Sequence, residues 1–281
     1  MTRNIIVACC TLATGALVVG LVFAQGSGTS IVSKQYSITN IDPSYFKGRS
    51  DDGTFSVRGR PRLHAVLTEK RLTLDAATLD GRVDTPTSRL KTAKLGGGVL
   101  GNMESPSADG PEHITFSGSG VLYTNRGGAG DQSADFDVTG GVHFGTENTT
   151  VPRKLSVTGS HGLFMMRPVG GEVGLESADL DGPVTLDFSG VRVDKDKQKT
   201  PVTAHATGAH LTIRRSGTSG TDYVIRLSGG AVVHGNLVGP FDDAVLTAPV
   251  IDIELDSKGN FQQFSTEGET AATVTPGKQP V

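Results

Sequence analysis

The side chains that could do chemistry are thinly spread along this 281-residue chain. Seven histidines are present: His64, His113, His143, His161, His205, His210 and His234. None sits on a helix at metal-ligand spacing, and no cysteine stands near them to complete a zinc set. His205 and His210 fall on opposite parities, so one strand face cannot present both. Aspartates alternate with apolar residues at Asp135, Asp137, Asp179, Asp181 and Asp187. Such pairs could supply the two carboxylates of a glycosidase, but a solvated strand face opposite a buried one accounts for the same spacing. Cys9 and Cys10 are the only cysteines, both in the N-terminal apolar segment. The rest of the chain therefore has no thiol nucleophile, zinc knuckle or disulfide framework. Gly96-Gly97-Gly98 opens no helix and is no phosphate loop. Ser117-Gly118-Ser119-Gly120 lacks the strand-to-helix setting of a nucleophile elbow. Asn148-Thr149-Thr150 fits a glycosylation acceptor by pattern alone. These residues predict no catalytic site, no metal and no cofactor.

The bulk numbers narrow the class further. A formal net charge of −3, with neither a basic tail nor a basic helix, speaks against nucleic acid as a partner. There are 38 glycines, well above the usual share of about 7%, which a long helical protein would not carry.

The elements that must position these side chains are strands. Ala134 to Phe144 places Phe136, Val138, Val142 and Phe144 on one parity, with Asp135, Asp137, Thr139 and His143 between them. That period of two marks a strand with one buried face. Gly140 falls inside it, where glycine signals a bulge, a bend or a close backbone approach. The pattern recurs at Ala77–Val83, Ala93–Val99, Ile114–Leu122, Leu155–Gly159, Ala178–Phe188, Ala204–Gly208 and Ile225–Val233. A unit of this kind cannot bury its own apolar face and must stack on neighbours. Polar loops are expected at Ser105–Gly110, Asn125–Asp131, Thr146–Pro152, Val193–Thr200 and Ser216–Thr221. Leu63–Leu74 alternates poorly and leaves room for one helical turn. A hairpin is expected from Val250–Leu255 through Asp256–Asn260 to Phe261–Ser265. The fold class is all-β, of repeated antiparallel strands.

Ile5 to Phe23 is an uncharged, mostly apolar run, long enough to span a bilayer as one N-terminal helix. It ends in Val22-Phe23-Ala24, a small-residue cleavage signature. Residues 1–24 are thus a membrane anchor or a signal peptide cut after Ala24, and either sends the rest across a membrane. Residues 25–33 read as a linker, 34–268 as the β domain and 269–281 as a mobile tail.

Ala178-Asp179-Leu180-Asp181-Gly182-Pro183-Val184-Thr185-Leu186 resembles the repeats of the OstA-like superfamily. So does Val250-Ile251-Asp252-Ile253-Glu254-Leu255 followed through its turn by Phe264-Ser265-Thr266-Glu267-Gly268. Its LptA- and LptC-like members carry lipopolysaccharide across the periplasm. The resemblance covers about Leu72 to Gly268, and the N-terminal run matches the uncleaved helix of the LptC-like members. It implies an open β-jelly roll without enzymatic activity, in the periplasm, held at the inner membrane by residues 5–23 or released after Ala24. The implied partners are lipopolysaccharide or a similar lipid, other β-jelly-roll bridge proteins and an inner-membrane ABC transporter complex. By parity, the inner face carries Phe136, Val138, Val142, Phe144, Leu180, Val184, Leu186, Phe188, Ile225 and Leu227. In this family such a face is the lipid groove. The terminal hairpin, through Ile251, Ile253 and Leu255, is the expected partner edge. Two other classes fit the strand pattern: a structural or adhesive β-solenoid packed solid inside, and a carbohydrate-active β-helix enzyme.

Overall fold

The computed structural model describes residues 6–8, 20–23, 29–49, 52–84, 86–87, 89–105, 110–128, 131, 133–148, 150–151, 153–169, 172–193, 198–216, 222–236, 241–256 and 259–276. The protein is all-β. Its strands are β1 (Ile6–Ala8), β2 (Gly20–Phe23), β3 (Thr29–Val32), β4 (Tyr36–Arg49), β5 (Thr54–Leu67), β6 (Leu72–Asp84), β7 (Arg89–Ser105) and β8 (Glu112–Asn125). They continue with β9 (Ala134–Asn148), β10 (Arg153–Val169), β11 (Glu172–Val193), β12 (Lys199–Ser216), β13 (Asp222–Gly235), β14 (Phe241–Leu255), β15 (Phe261–Glu267) and β16 (Ala271–Pro276). The five expected polar loops lie about the junctions between these strands, but Thr146–Asn148 belongs to β9 and Lys199–Thr200 to β12, and residues 106–109, 129–130, 149, 152, 194–197 and 217–221 lie outside the described residues. The ambiguous stretch around Leu63–Leu74 contains one 3₁₀ turn, Thr68–Lys70, between β5 and β6.

The chain divides into two compact units. One comprises Met1–Glu104 with Ser117–Thr139, and the other Ser105–Phe116 with Gly140–Val281. Within each unit, strands that are consecutive in sequence lie side by side and antiparallel. Strands β8 and β9 give one arm to each unit.

The long strands are not straight. In the β12–β13 ladder Thr207 pairs with Val232 and His210 with Ser228, so Gly208-Ala209 stands against Gly229-Gly230-Ala231. Gly229 and Gly230 take φ of 77° and 80°, a left-handed conformation that glycine adopts without the Cβ penalty of other residues. The surplus residue is a bulge, and it turns the strand. On β12 the buried set changes from Val202, Ala204 and Ala206 before the bulge to Leu211 and Ile213 after it. Comparable register breaks separate Asp75 from Thr78, Thr158 from His161 and Asp181 from Val184. The recurrent glycines are thus corners, and each long strand is two arms. In the second unit the arms face one another: Phe144 of β9 stacks on Phe164, which lies beyond the corner of β10, with ring centroids 4.8 Å apart.

Two ends of the chain differ from expectation. Within residues 1–24 the described stretches are Ile6–Ala8 and Gly20–Phe23. Both are extended, with Ile6 opposite Phe23 and β2 continuing onto β3. A short apolar run rich in Val, Ile and Phe suits a strand as well as a helix. Among the described residues no helix is long and apolar enough to cross a membrane. The remainder of the expected helix over 5–23, Ala24 itself and residues 25–28 of the linker lie outside the described residues. At the other end, Ala271–Pro276 is no mobile tail. It forms β16, paired with the Phe241–Thr247 arm of β14. That arm would otherwise leave a row of backbone donors and acceptors unpaired, and Ala-Ala-Thr-Val-Thr supplies a matching strand. Residues 277–281 lie outside the described residues.

Candidate functional site

The ten inward-parity residues are all buried, at 0–6% exposure. Phe136 and Val138 belong to the first unit, where Phe136 meets the Tyr123 ring at 5.5 Å. Val142, Phe144, Leu180, Val184, Leu186, Phe188, Ile225 and Leu227 belong to the second. Ladder register explains their assembly: Leu180 lies opposite Leu211, Leu186 opposite Ala206 and Phe188 opposite Ala204. Leu211 in turn faces Leu227, and Leu227 faces Ile251. These apolar rows cross the strands without interruption, each fully buried large side chain contributing about 1.5–3 kcal/mol. A space of about 10 Å³ between Val233, Ala244, Leu246, Ile251, Ile253 and Phe264 lies within this interior.

Ile251, Ile253 and Leu255 do not form a sheet edge. Strand β14 is flanked by β13 on one side and by β15 and β16 on the other. The three side chains point inward, at 0%, 3% and 7% exposure. The last hairpin does end the sheet, but its outer member is β15, with β16 continuing the edge past the turn at Gly268. Among the described residues, the only further ladder contact of β15 is the bridge of Phe261 to Arg192 of β11.

The polar residues gather on the opposite face. His161 lies opposite Asp181, and Asp181 opposite His210. Asp187 lies opposite His205, and His205 opposite His234. The side chains follow the ladder: His205 Nδ1 meets Asp187 Oδ1 at 2.8 Å, His234 Nε2 meets Asp243 Oδ2 at 2.9 Å and His210 Nδ1 meets Asp181 Oδ1 at 2.8 Å. His205 and His210 thus share one face, against the parity expectation, because the alternation on β12 shifts by one at the corner through Gly208-Ala209, opposite the bulge of β13. Ligand atoms of Asp179, Asp181 and His210 lie within 4.8 Å of one another, a spacing open to a cation. Arg214 Nη2 meets Asp179 Oδ2 at 3.1 Å. A cleft of about 420 Å³ runs over Lys154, Asp187, His205, His234, Asn236 and Asp243. These groups are a third to two thirds exposed, where a pair contributes about 0–1 kcal/mol.

A charged group stands on the inward parity of β12. Arg215 continues the alternation of Leu211 and Ile213 and lies opposite Tyr223, whose hydroxyl accepts a bond from Arg215 Nη2 at 2.9 Å. The phenol is pushed up by burial, and the nearby Arg215 partly offsets this. The signal was in the sequence: Leu211-x-Ile213-x-Arg215 ends an apolar row on a cation.

Comparison with known protein families, characterised proteins and solved structures finds no match for this chain.

Proposed function

We propose that the chain is a carrier of lipopolysaccharide or a similar lipid, an open β-jelly roll of the OstA-like kind that shields acyl chains between the arms of its strands. The observation that carries this reading is the cornered repeat. Successive strands turn at glycine corners, and both arms aim aliphatic and aromatic side chains inward while Asp, His, Thr and Ser face water. Such an interior exchanges side-chain contacts for acyl-chain contacts with little change in transfer free energy, since each buried methylene is worth about 0.8 kcal/mol on either side of the exchange. Acyl chains separate the arms and replace part of the side-chain packing between them. No covalent chemistry is required. The partner edge for a bridge protein or an inner-membrane ABC transporter complex is the outer side of β15 and β16, which among the described residues carries no ladder beyond the single Phe261–Arg192 bridge and so suits β-augmentation. The working place is the periplasm, with residues 5–23 as the anchor or Ala24 as the cleavage point; N-terminal sequencing of the mature protein separates these two.

The test is chemical capture. A photo-crosslinking residue replacing Phe136 or Leu186 is expected to label extracted lipid, and one replacing Asp137 or Asp187 is not. Equal labelling at inward and outward positions overturns the carrier reading. A lipid-free interior in protein purified from membrane-containing cells, read by mass spectrometry, favours a structural β-solenoid instead.

A further inference from the structure

A buried guanidinium closes one end of the second unit's interior with donors unused. Arg215 Nη2 is engaged by the Tyr223 hydroxyl, and the guanidinium carbon lies 5.3 Å from the centroid of that ring. Its Nε and Nη1 are buried and have no partner among the described residues. Gly174 of β11 makes the position possible: a Cβ there would come within 2.6 Å of Nη2. The surroundings add charge. Glu112 precedes Ile114 and Phe116 on the inward parity of β8, and Arg153 precedes Leu155 and Val157 on that of β10. These two form an ion pair, Arg153 Nη2 to Glu112 Oε1, at 3.4 Å. Both are near enough to bear on the ionisation of the Tyr223 phenol. Arg153 thus has a carboxylate partner, whereas among the described residues Arg215 has only the Tyr223 hydroxyl.

Buried donors without acceptors are rare in folded proteins because each forfeits its hydration. A cation in excess over its carboxylates calls for an anion, and guanidinium groups suit phosphate and carboxylate oxygens best. The neighbours decide what that anion is attached to. Leu211, Ile213, Ile225 and Leu255, all buried, lead from this polar end into the apolar interior. We propose that the Arg215–Tyr223 end, with Arg153, binds the phosphate or carboxylate head group of an amphiphile whose chain lies in the adjoining interior. The amphiphile rests on the carrier reading; the anion site rests on the unused donors.

The two are separable with the full chain and three probes: dodecyl phosphate, 1-dodecanol and inorganic phosphate. In calorimetric titration dodecyl phosphate is expected to bind at least about tenfold more tightly than dodecanol, the effect of one charge-assisted hydrogen bond. Arg215→Gln is expected to bring the two to the same affinity. Arg215→Lys, which keeps the charge and loses the planar fork, is expected to fall between them and serves if the Gln variant does not fold. Equal affinity in the wild type, or a preference that survives in a folded Arg215→Gln variant, overturns the proposal. If neither amphiphile binds, the carrier reading fails and ³¹P line broadening of inorganic phosphate decides the rest. Broadening that depends on Arg215 assigns the site to a free anion. Its absence removes the site.

Discussion

Tyr36 shows what a single inward residue contributes. It stands on β4 at 2% exposure, and burial alone pushes its phenol from the ordinary 10.0 up to about 12. The folded state therefore holds this proton more tightly than the unfolded chain. The stabilisation is fully present below pH 10 and is lost as pH rises from 10 towards 12. The shift corresponds to about 2–3 kcal/mol across that window. Tyr36→Phe has no such group, so its urea midpoint is expected to fall less than that of the wild type over the same pH range. Parallel profiles would show that the Tyr36 hydroxyl is not withdrawn from water. At this scale the sequence was readable wherever alternation ran unbroken, as at Leu180, Val184, Leu186 and Phe188. It misled at His205 and His210 because parity presumes a straight strand, and the residue that breaks the strand lies between them. Arg215 was passed over for a related reason: an alternation was followed through its apolar members and not to its charged end.

The corner is the element that makes the fold, and its glycines are unequal. Gly229 and Gly230 have nearly the same left-handed φ, yet a Cβ on Gly229 would come within 2.6 Å of the Ala209 Cβ, while one on Gly230 meets nothing within 4 Å. Gly230→Ala is expected to cost only the conformational term, about 1–2 kcal/mol. Gly229→Ala is expected to cost clearly more, and adding Ala209→Gly to it to recover the difference. Denaturant midpoints of the four proteins check this; equal costs for the two single variants would mean that the corner relaxes around the clash. Gly97 repeats the arrangement, with its Cβ position 2.5 Å from the Ala77 Cβ, so the corner is one structural idiom used more than once. Glycine inside a strand pattern announced these bends, and the polar turn of the last hairpin was readable too: its ends are joined by the Asp256 N–H donating to the Asn260 carbonyl, with residues 257–258 outside the described ones. Strand β16 was not. Its sequence is short and small and ends on Pro276, and only the open arm of β14 makes it a strand. The pairing of β14 with β15 along Val250–Leu255 moves the sheet edge outward from Ile251, Ile253 and Leu255.

For the molecule as a whole, the decisive feature is that ladders join neighbours in sequence. Within the second unit β11 carries a ladder along each of its sides, from Lys154↔Ser189 to Val169↔Glu172 with β10 and from Ser177↔Arg214 to Val193↔Lys199 with β12. Among the described residues strand β16 has only the Phe241–Thr247 arm of β14, and its residues 271–274 are exposed. Opening β16 thus breaks one ladder and uncovers little apolar surface, whereas opening β11 breaks two and uncovers Leu180, Leu186 and Phe188. Local opening free energies follow these differences. Hydrogen exchange of the intact chain, read by mass spectrometry, is expected to be slowest in β11 and β12 and fastest, among the strands of this unit, in β15 and β16. A carrier that joins a partner through its last strands needs this gradient, since a partner strand can add only where the native edge is loosely held or left free. Protection in β16 equal to that in β11 would mean that the end of the sheet is closed by something stronger than its visible ladder, and the partner edge would then have to be sought in the first unit, at the Phe46–Arg49 arm of β4, which among the described residues pairs only with β5.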